Sequence, residues 1–168
     1  MALAFTVVLS IANLCHSAVP REQRLPNFQV TLVNGNTLKS RDLLGKITVI
    51  DFWGTWCPPC LKEIPEYNAF YREFKKKGVG FYGLAAESGT MADLRDAANR
   101  LKIDYPVAAL TDEELDAFGD IPVFPTTWIV NRNGVVEKEL VGSGPGKLEL
   151  LRSTVARLLE GGGQKKKQ

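Results

Sequence analysis

The chain has 168 residues, 45% of them hydrophobic and 24% charged, with a formal net charge of +2. That length suits one compact domain with short appendages, and the balance excludes a disordered or fibrous chain. The charge is too small to argue for a nucleic-acid partner, and three cysteines with one histidine exclude a disulfide-stapled miniprotein and a typical structural zinc site.

The first element is an apolar run from Ala2 to Leu14, interrupted only by Thr6, Ser10 and Asn13. It is short of the roughly 20 apolar residues of a transmembrane helix. It fits the apolar core of a secretory signal, with small residues at Cys15, Ser17 and Ala18 for cleavage. Residues 1–22 therefore read as a signal peptide or anchor, which predicts a periplasmic or otherwise extracytoplasmic location, tethered to the membrane if the segment is retained. Residues 23–160 read as the folded domain, and 161–168, a glycine run followed by lysines, as a solvated tail.

Within the domain, Pro26 to Leu32 reads as a short strand, and Asn34-Gly35 turns it toward Thr37-Leu38. Ser40 to Leu44 predicts one helical turn ending at Gly45. Lys46 to Trp53 is a β-branched, apolar run expected to be a strand covered on both faces. From Cys57 to Lys77, Leu61, Ile64, Tyr67, Phe70 and Phe74 recur at helical spacing until Gly78. Val79 to Ala86 reads as a second buried strand. Thr90 to Leu101 reads as a helix with Thr90 and Asp93 at its start, and Asp112 to Phe118 as a short helix. Thr126 to Val130 and Val135 to Leu140 form a hairpin across Asn133-Gly134, and Gly146 to Leu159 closes the chain as an amphipathic helix. This order predicts an α/β fold with a central mixed sheet, helices on both faces and an N-terminal β-hairpin.

The chemistry concentrates in Trp56-Cys57-Pro58-Pro59-Cys60. A CxxC is either half of a metal site or a redox dithiol. The first needs a second ligand pair, and only Cys15 and His16 remain. The second fits the placement, where a buried strand gives way to a helix. Cys57 there meets unpaired amides and the positive end of the macrodipole, which favour a thiolate. Pro58 and Pro59 suit a first helical turn. Cys60, one turn on, is expected to face inward. An exposed, acidic Cys57 can then form a mixed disulfide and a shielded Cys60 can resolve it. Asp51 lies in the preceding strand among apolar neighbours. Burial without a partner should raise its pKa toward neutrality and fit it to accept the Cys60 proton.

Asp51 to Cys60 resembles the active-site segment of the thioredoxin superfamily. Pro26-Asn27-Phe28, Asn34-Gly35, Leu43 to Lys46, Pro125-Thr126-Thr127 and Asn133-Gly134 make the pattern similar to its extracytoplasmic TlpA/ResA branch. The resemblance implies that Pro125 is the cis-proline facing the dithiol (with Pro122 as the alternative), that Pro65 is the proline inside the active-site helix, and that Glu87 is an acid held near the dithiol. Either Asp51 or Glu87 is then the proton relay, or the two share it as a coupled pair. Trp56, Pro58, Pro59, Phe124, Pro125 and Thr126 would receive substrate, Trp53 and Trp128 would pack in the core, and no cofactor or metal would be needed. The resemblance also implies a monomeric protein-disulfide reductase of the cytochrome c maturation type, with protein substrates such as apocytochrome c and a membrane thiol reductase as electron donor. Other readings are a general disulfide oxidant or isomerase of the cell envelope, a peroxide-reducing redoxin, and a non-catalytic chaperone. The peroxide reading asks for a threonine three residues before the reactive cysteine, and Thr55 stands two before. The intact dithiol argues against the chaperone.

Overall fold

The computed structural model describes residues 23–119 and 121–161. The N-terminal apolar run, Cys15, His16 and the lysine tail lie outside them. The elements are β1 (Gln29–Thr31), β2 (Thr37–Lys39), a 3₁₀ turn (Ser40–Leu43), β3 (Thr48–Trp53), α1 (Pro58–Lys75), β4 (Gly80–Ala85), α2 (Met91–Arg100), β5 (Val107–Ala109), α3 (Asp112–Asp116), β6 (Thr126–Val130), β7 (Val136–Val141) and α4 (Lys147–Gly161).

β3 is the centre of a five-stranded sheet ordered β5-β4-β3-β6-β7. It pairs parallel with β4 and antiparallel with β6, so the sheet is mixed. All six of its residues are buried, as its continuous apolar run requires of a strand covered on both sides. Its period-2 alternation divides the core in two. Val49 and Trp53 join the cluster under α1, α2 and α4, with Phe70, Phe74, Leu94 and Val155. Ile50 and Phe52 join the opposite cluster, with Val30, Leu38, Leu43 and Phe118. That second cluster is stitched by rings: Phe118 lies 4.9 Å from Phe28, 5.1 Å from Phe52 and 6.0 Å from Trp128.

Helices lie on both faces, as expected, but unevenly. The three long helices share one face, and the other is covered by the β1–β2 hairpin, the 3₁₀ turn and the short α3. The reason is topological. The crossovers from β3 to β4 and from β4 to β5 step the same way across the sheet, and two right-handed crossovers stepping the same way put their helices on the same side. The hairpin also caps an edge: Leu32 bridges Ala108, and the Val33 amide donates to the Val107 carbonyl at 2.9 Å.

β5 was not foreseen from the sequence. Two of its three residues are alanines and it follows Pro106, so neither propensity nor periodicity marks it. Pairing with Gly83 to Ala85 of β4 makes it a strand. Gly83 has a reason to lack a side chain, because a Cβ there would lie 2.9 Å from Trp53 Nε1 and 3.0 Å from the Tyr105 ring.

Candidate functional site

β3 delivers the site at its C-terminal end, and the Gly54–Trp56 turn passes the chain into α1. Cys57 is the N-cap of α1, with Pro58 and Pro59 in the first turn, where their missing N–H groups cost nothing. The first available side-chain contact of that turn is the Cys60 amide, which donates to Cys57 Sγ at 3.3 Å. One of the helix's orphan donors is thereby aimed at this sulfur and adds to the macrodipole in favouring negative charge on it. Cys57 and Cys60 are joined as a disulfide with Cα atoms 5.3 Å apart. Both residues are only 3% exposed, which corrects the expectation of an exposed Cys57. Both belong to the apolar cluster against which Leu61 and Phe124 pack. The asymmetry between the two sulfurs lies in the helix-end position, not in burial.

The surrounding surface is built by three loops. Trp56 is 49% exposed, meets Phe124 edge-on at 5.7 Å and donates from Nε1 to the Ala86 carbonyl at 3.2 Å. Ser88 braces the same turn, accepting from the Thr55 amide and donating to the Ala86 carbonyl. Gly54 is required here, since a Cβ would lie 2.7 Å from the Trp56 ring. Pro58 is exposed, Pro59 and Phe124 are half-buried, and Val123 is 46% exposed. The Phe124–Pro125 peptide is cis. The Pro125 carbonyl already accepts from the Gly142 amide at 2.8 Å, and proline has no N–H to offer. The backbone groups left open at this loop are those of Phe124, which has no backbone hydrogen bond among the described residues. Thr126 is fully buried, and its hydroxyl donates to the Val123 carbonyl at 2.7 Å. That corrects its expected role: it shapes the loop and is not presented to substrate. Trp53 and Trp128 are core residues, as expected, and Pro65 lies inside α1.

Asp51 is 3% exposed and sits on the α1 side of β3. Strand register places Thr127 directly opposite it, and the Thr127 hydroxyl donates to Asp51 Oδ1 at 2.8 Å. The Tyr67 hydroxyl joins Thr127 Oγ1 at 3.0 Å. Burial pushes the Asp51 carboxyl up to about 7, against the pull of the Lys147 charge and the Thr127 hydrogen bond. Burial, with the charges of Asp51 and Glu63, holds the Tyr67 phenol well above its ordinary range.

The acid beside Asp51 is not Glu87. Glu87 is exposed, in the left-handed region at φ 48°, on the loop that supports Trp56. The charges that act on Asp51 are Lys147 and Glu63. Glu63 and Lys147 are paired at 2.9 Å with side chains only 11% and 9% exposed. The sequence reading missed both. Glu63 carried a signal, because it stands one turn after Cys60 on the stripe that continues through Ile64 and Tyr67. Lys147 carried none. Among the described residues no cluster of three or more His, Cys, Asp or Glu could hold a metal ion, and no helix is long and apolar enough to cross a membrane.

The AhpC/TSA family profile matches residues 22–139. The thiol-disulfide oxidoreductase ResA of Bacillus anthracis is 33% identical over 117 residues, which cover 70% of this chain and 67% of that protein. ResA of Bacillus subtilis (strain 168) is 35% identical over 119 residues, 70% of this chain and 65% of that one. A solved thiol:disulfide interchange protein of the thioredoxin family from Chlorobium tepidum TLS superposes with a TM-score of 0.72 at 28% identity, covering 84% of this chain and 99% of that one. The thioredoxin domain of a thiol-disulfide oxidoreductase from Bacteroides vulgatus, at 24% identity and a TM-score of 0.68, shares the fold over 79% of this chain and 96% of that one.

Proposed function

The chain belongs to the AhpC/TSA family of thioredoxin-like proteins and is a thiol–disulfide oxidoreductase, and from that premise we propose that it works outside the cytoplasm as a reductase of protein disulfides, of the cytochrome c maturation type. The observation that carries the dithiol exchange in this reading is the Cys60 amide aimed at Cys57 Sγ at the start of α1, which marks Cys57 as the nucleophile. The reduced Cys57 thiolate attacks one sulfur of a client disulfide. A bond forms between Cys57 and that sulfur, and the other client sulfur leaves as a thiolate. Cys60 then attacks Cys57 Sγ, closing the Cys57–Cys60 disulfide and releasing the second client thiolate. The client gains two electrons and the dithiol loses two. Asp51 accepts the proton that Cys60 gives up, directly or through one water, and its pKa of about 7 suits a base that must take and return a proton near neutrality.

Trp56, Pro58, Pro59 and Phe124 form the docking surface, and the buried Pro125 beneath it sets the course of the Phe124 backbone. The surface is apolar, and the open Phe124 backbone groups can pair with a short extended client segment. A haem-binding cysteine pair of apocytochrome c fits that requirement, and a membrane thiol reductase would return the electrons. The apolar run from Ala2 to Leu14 supports export or tethering. Cys60→Ser should trap clients as Cys57 mixed disulfides that reductant releases. If Cys57 reacts with iodoacetamide yet no mixed disulfide with any envelope protein forms, the reading is wrong. A dithiol potential near that of the strong oxidants, roughly −120 mV, would reverse the proposed direction of electron flow.

A further inference from the structure

Lys147 is a buried cation that the dithiol chemistry just described does not use. It stands at the start of α4, follows the Gly142–Gly146 loop, and reaches across to α1. Its Nζ donates to Glu63 Oε2 at 2.9 Å and lies 5.7 Å from the centre of the Tyr67 ring. A lysine is rarely buried unless paired, and here the ammonium is bonded to the buried Glu63 and lies against the ring of Tyr67, whose hydroxyl joins Thr127, the hydrogen-bond donor to the buried Asp51. Two negative charges with one positive charge in a low-dielectric layer leave one carboxylate uncompensated. Glu63 holds the ion pair, so the uncompensated group is Asp51, whose direct partner is the neutral Thr127 hydroxyl.

We propose that Lys147 is a positioning residue for the resolving step: its ammonium, held against Glu63 and the Tyr67 ring, sets how readily the buried Asp51 carboxylate takes up the Cys60 proton. The inference rests on Asp51 being the proton acceptor. The groups facing Asp51 come from every neighbouring element: Glu63 and Tyr67 on α1, Thr127 on β6, Tyr105 before β5, and Lys147 on α4. Lys147 is the one cation among them, so no other side chain in the layer can replace its effect. A groove of about 420 Å³ along Val141 to Lys147 and Leu150 opens at the foot of this lysine.

The test uses the full chain in two measurements. The Asp51 carboxyl is titrated by ¹³C NMR in the oxidised protein. The release of thiol from a fluorogenic peptide disulfide is followed by stopped flow in the reduced protein from pH 5 to 9. Losing an opposite charge raises a carboxyl midpoint by one pH unit or more. Lys147→Met should therefore move the Asp51 midpoint from about 7 to 8 or above. Its ionised fraction at pH 7 falls from about a half to a tenth, and the resolving step slows about fivefold there. Lys147→Arg should stay near wild type. Glu63→Gln frees the ammonium for Asp51 and should move the midpoint down, which keeps the test open if Lys147→Met does not fold. Unmoved midpoints in the variants, with only stability lost, would reduce the pair to a clamp between α1 and α4 and overturn the proposal. A midpoint that moves while the rate profile stays fixed would leave Lys147's action on Asp51 standing and sink Asp51 as the acceptor.

Discussion

Replacing Asp51 with asparagine should make the protein's stability less dependent on pH, and the size of the effect follows from burial. The folded-state pKa of Asp51 is about 7 and its ordinary value 3.8. Between those values the folded chain holds a proton that the unfolded chain has released. Stability then falls as pH rises, because the unfolded state binds fewer protons. The favourable contribution of the protonated acid is complete below about pH 4 and lost by about pH 7. At 1.36 kcal/mol per pH unit, the gap of roughly three pH units corresponds to about 4 kcal/mol. Asp51→Asn cannot ionise. It also loses the attraction of Lys147 and leaves an amide N–H₂ to be satisfied, which adds a constant offset. The slope carries the test. Urea unfolding of the disulfide-intact protein at pH 4, 5, 6, 7 and 8 should show the stability of Asp51→Asn gaining on wild type by about 4 kcal/mol across the range. A difference between the two proteins that is flat with pH would mean that Asp51 titrates in its ordinary range and is not a buried acid, and the relay argued from it would fall.

Two further perturbations probe the docking surface. Gly54→Ala places a Cβ 2.7 Å from the Trp56 ring, so the indole must leave its hydrogen bond to the Ala86 carbonyl. The cost in stability is about 1–3 kcal/mol, and KM for a disulfide peptide should rise more than kcat falls. An unchanged KM would show that Trp56 does not receive substrate. Glu87→Gly relieves a left-handed backbone at an exposed position. It should stabilise the protein by about 1 kcal/mol in calorimetry and leave the pH profile of the resolving step unmoved. A shifted profile would restore Glu87 to the proton relay.

The dithiol, its place at the junction of a buried strand and a helix, and the buried acid one strand-length before it were legible because each is a local pattern. The CxxC spacing sets one helical turn between two sulfurs. The β-branched run from Ile47 to Trp53 can be stable only when covered on both faces, which by itself puts Asp51 inside. The 3.6-residue recurrence of Leu61, Ile64, Tyr67, Phe70 and Phe74 fixed α1 and its buried face. The cis state of the Phe124–Pro125 bond came from resemblance alone, since an X–Pro bond in sequence is compatible with either isomer.

Long-range placement decided the rest. Charged residues are seldom buried without a partner, and the partner that lets Glu63 be buried is 84 residues away. β5 is a strand because β4 offers it an edge. Cys57 is as buried as Cys60 because the cluster that receives Phe124 comes from distant segments that close around the helix start. The sequence by itself determined that a redox dithiol stands at the head of α1 above a buried acid, since those facts are set by spacing and strand alternation. Only the tertiary structure decided which charges surround that acid, since the Coulomb field at a buried carboxylate depends on side chains that the chain brings together from four separate elements.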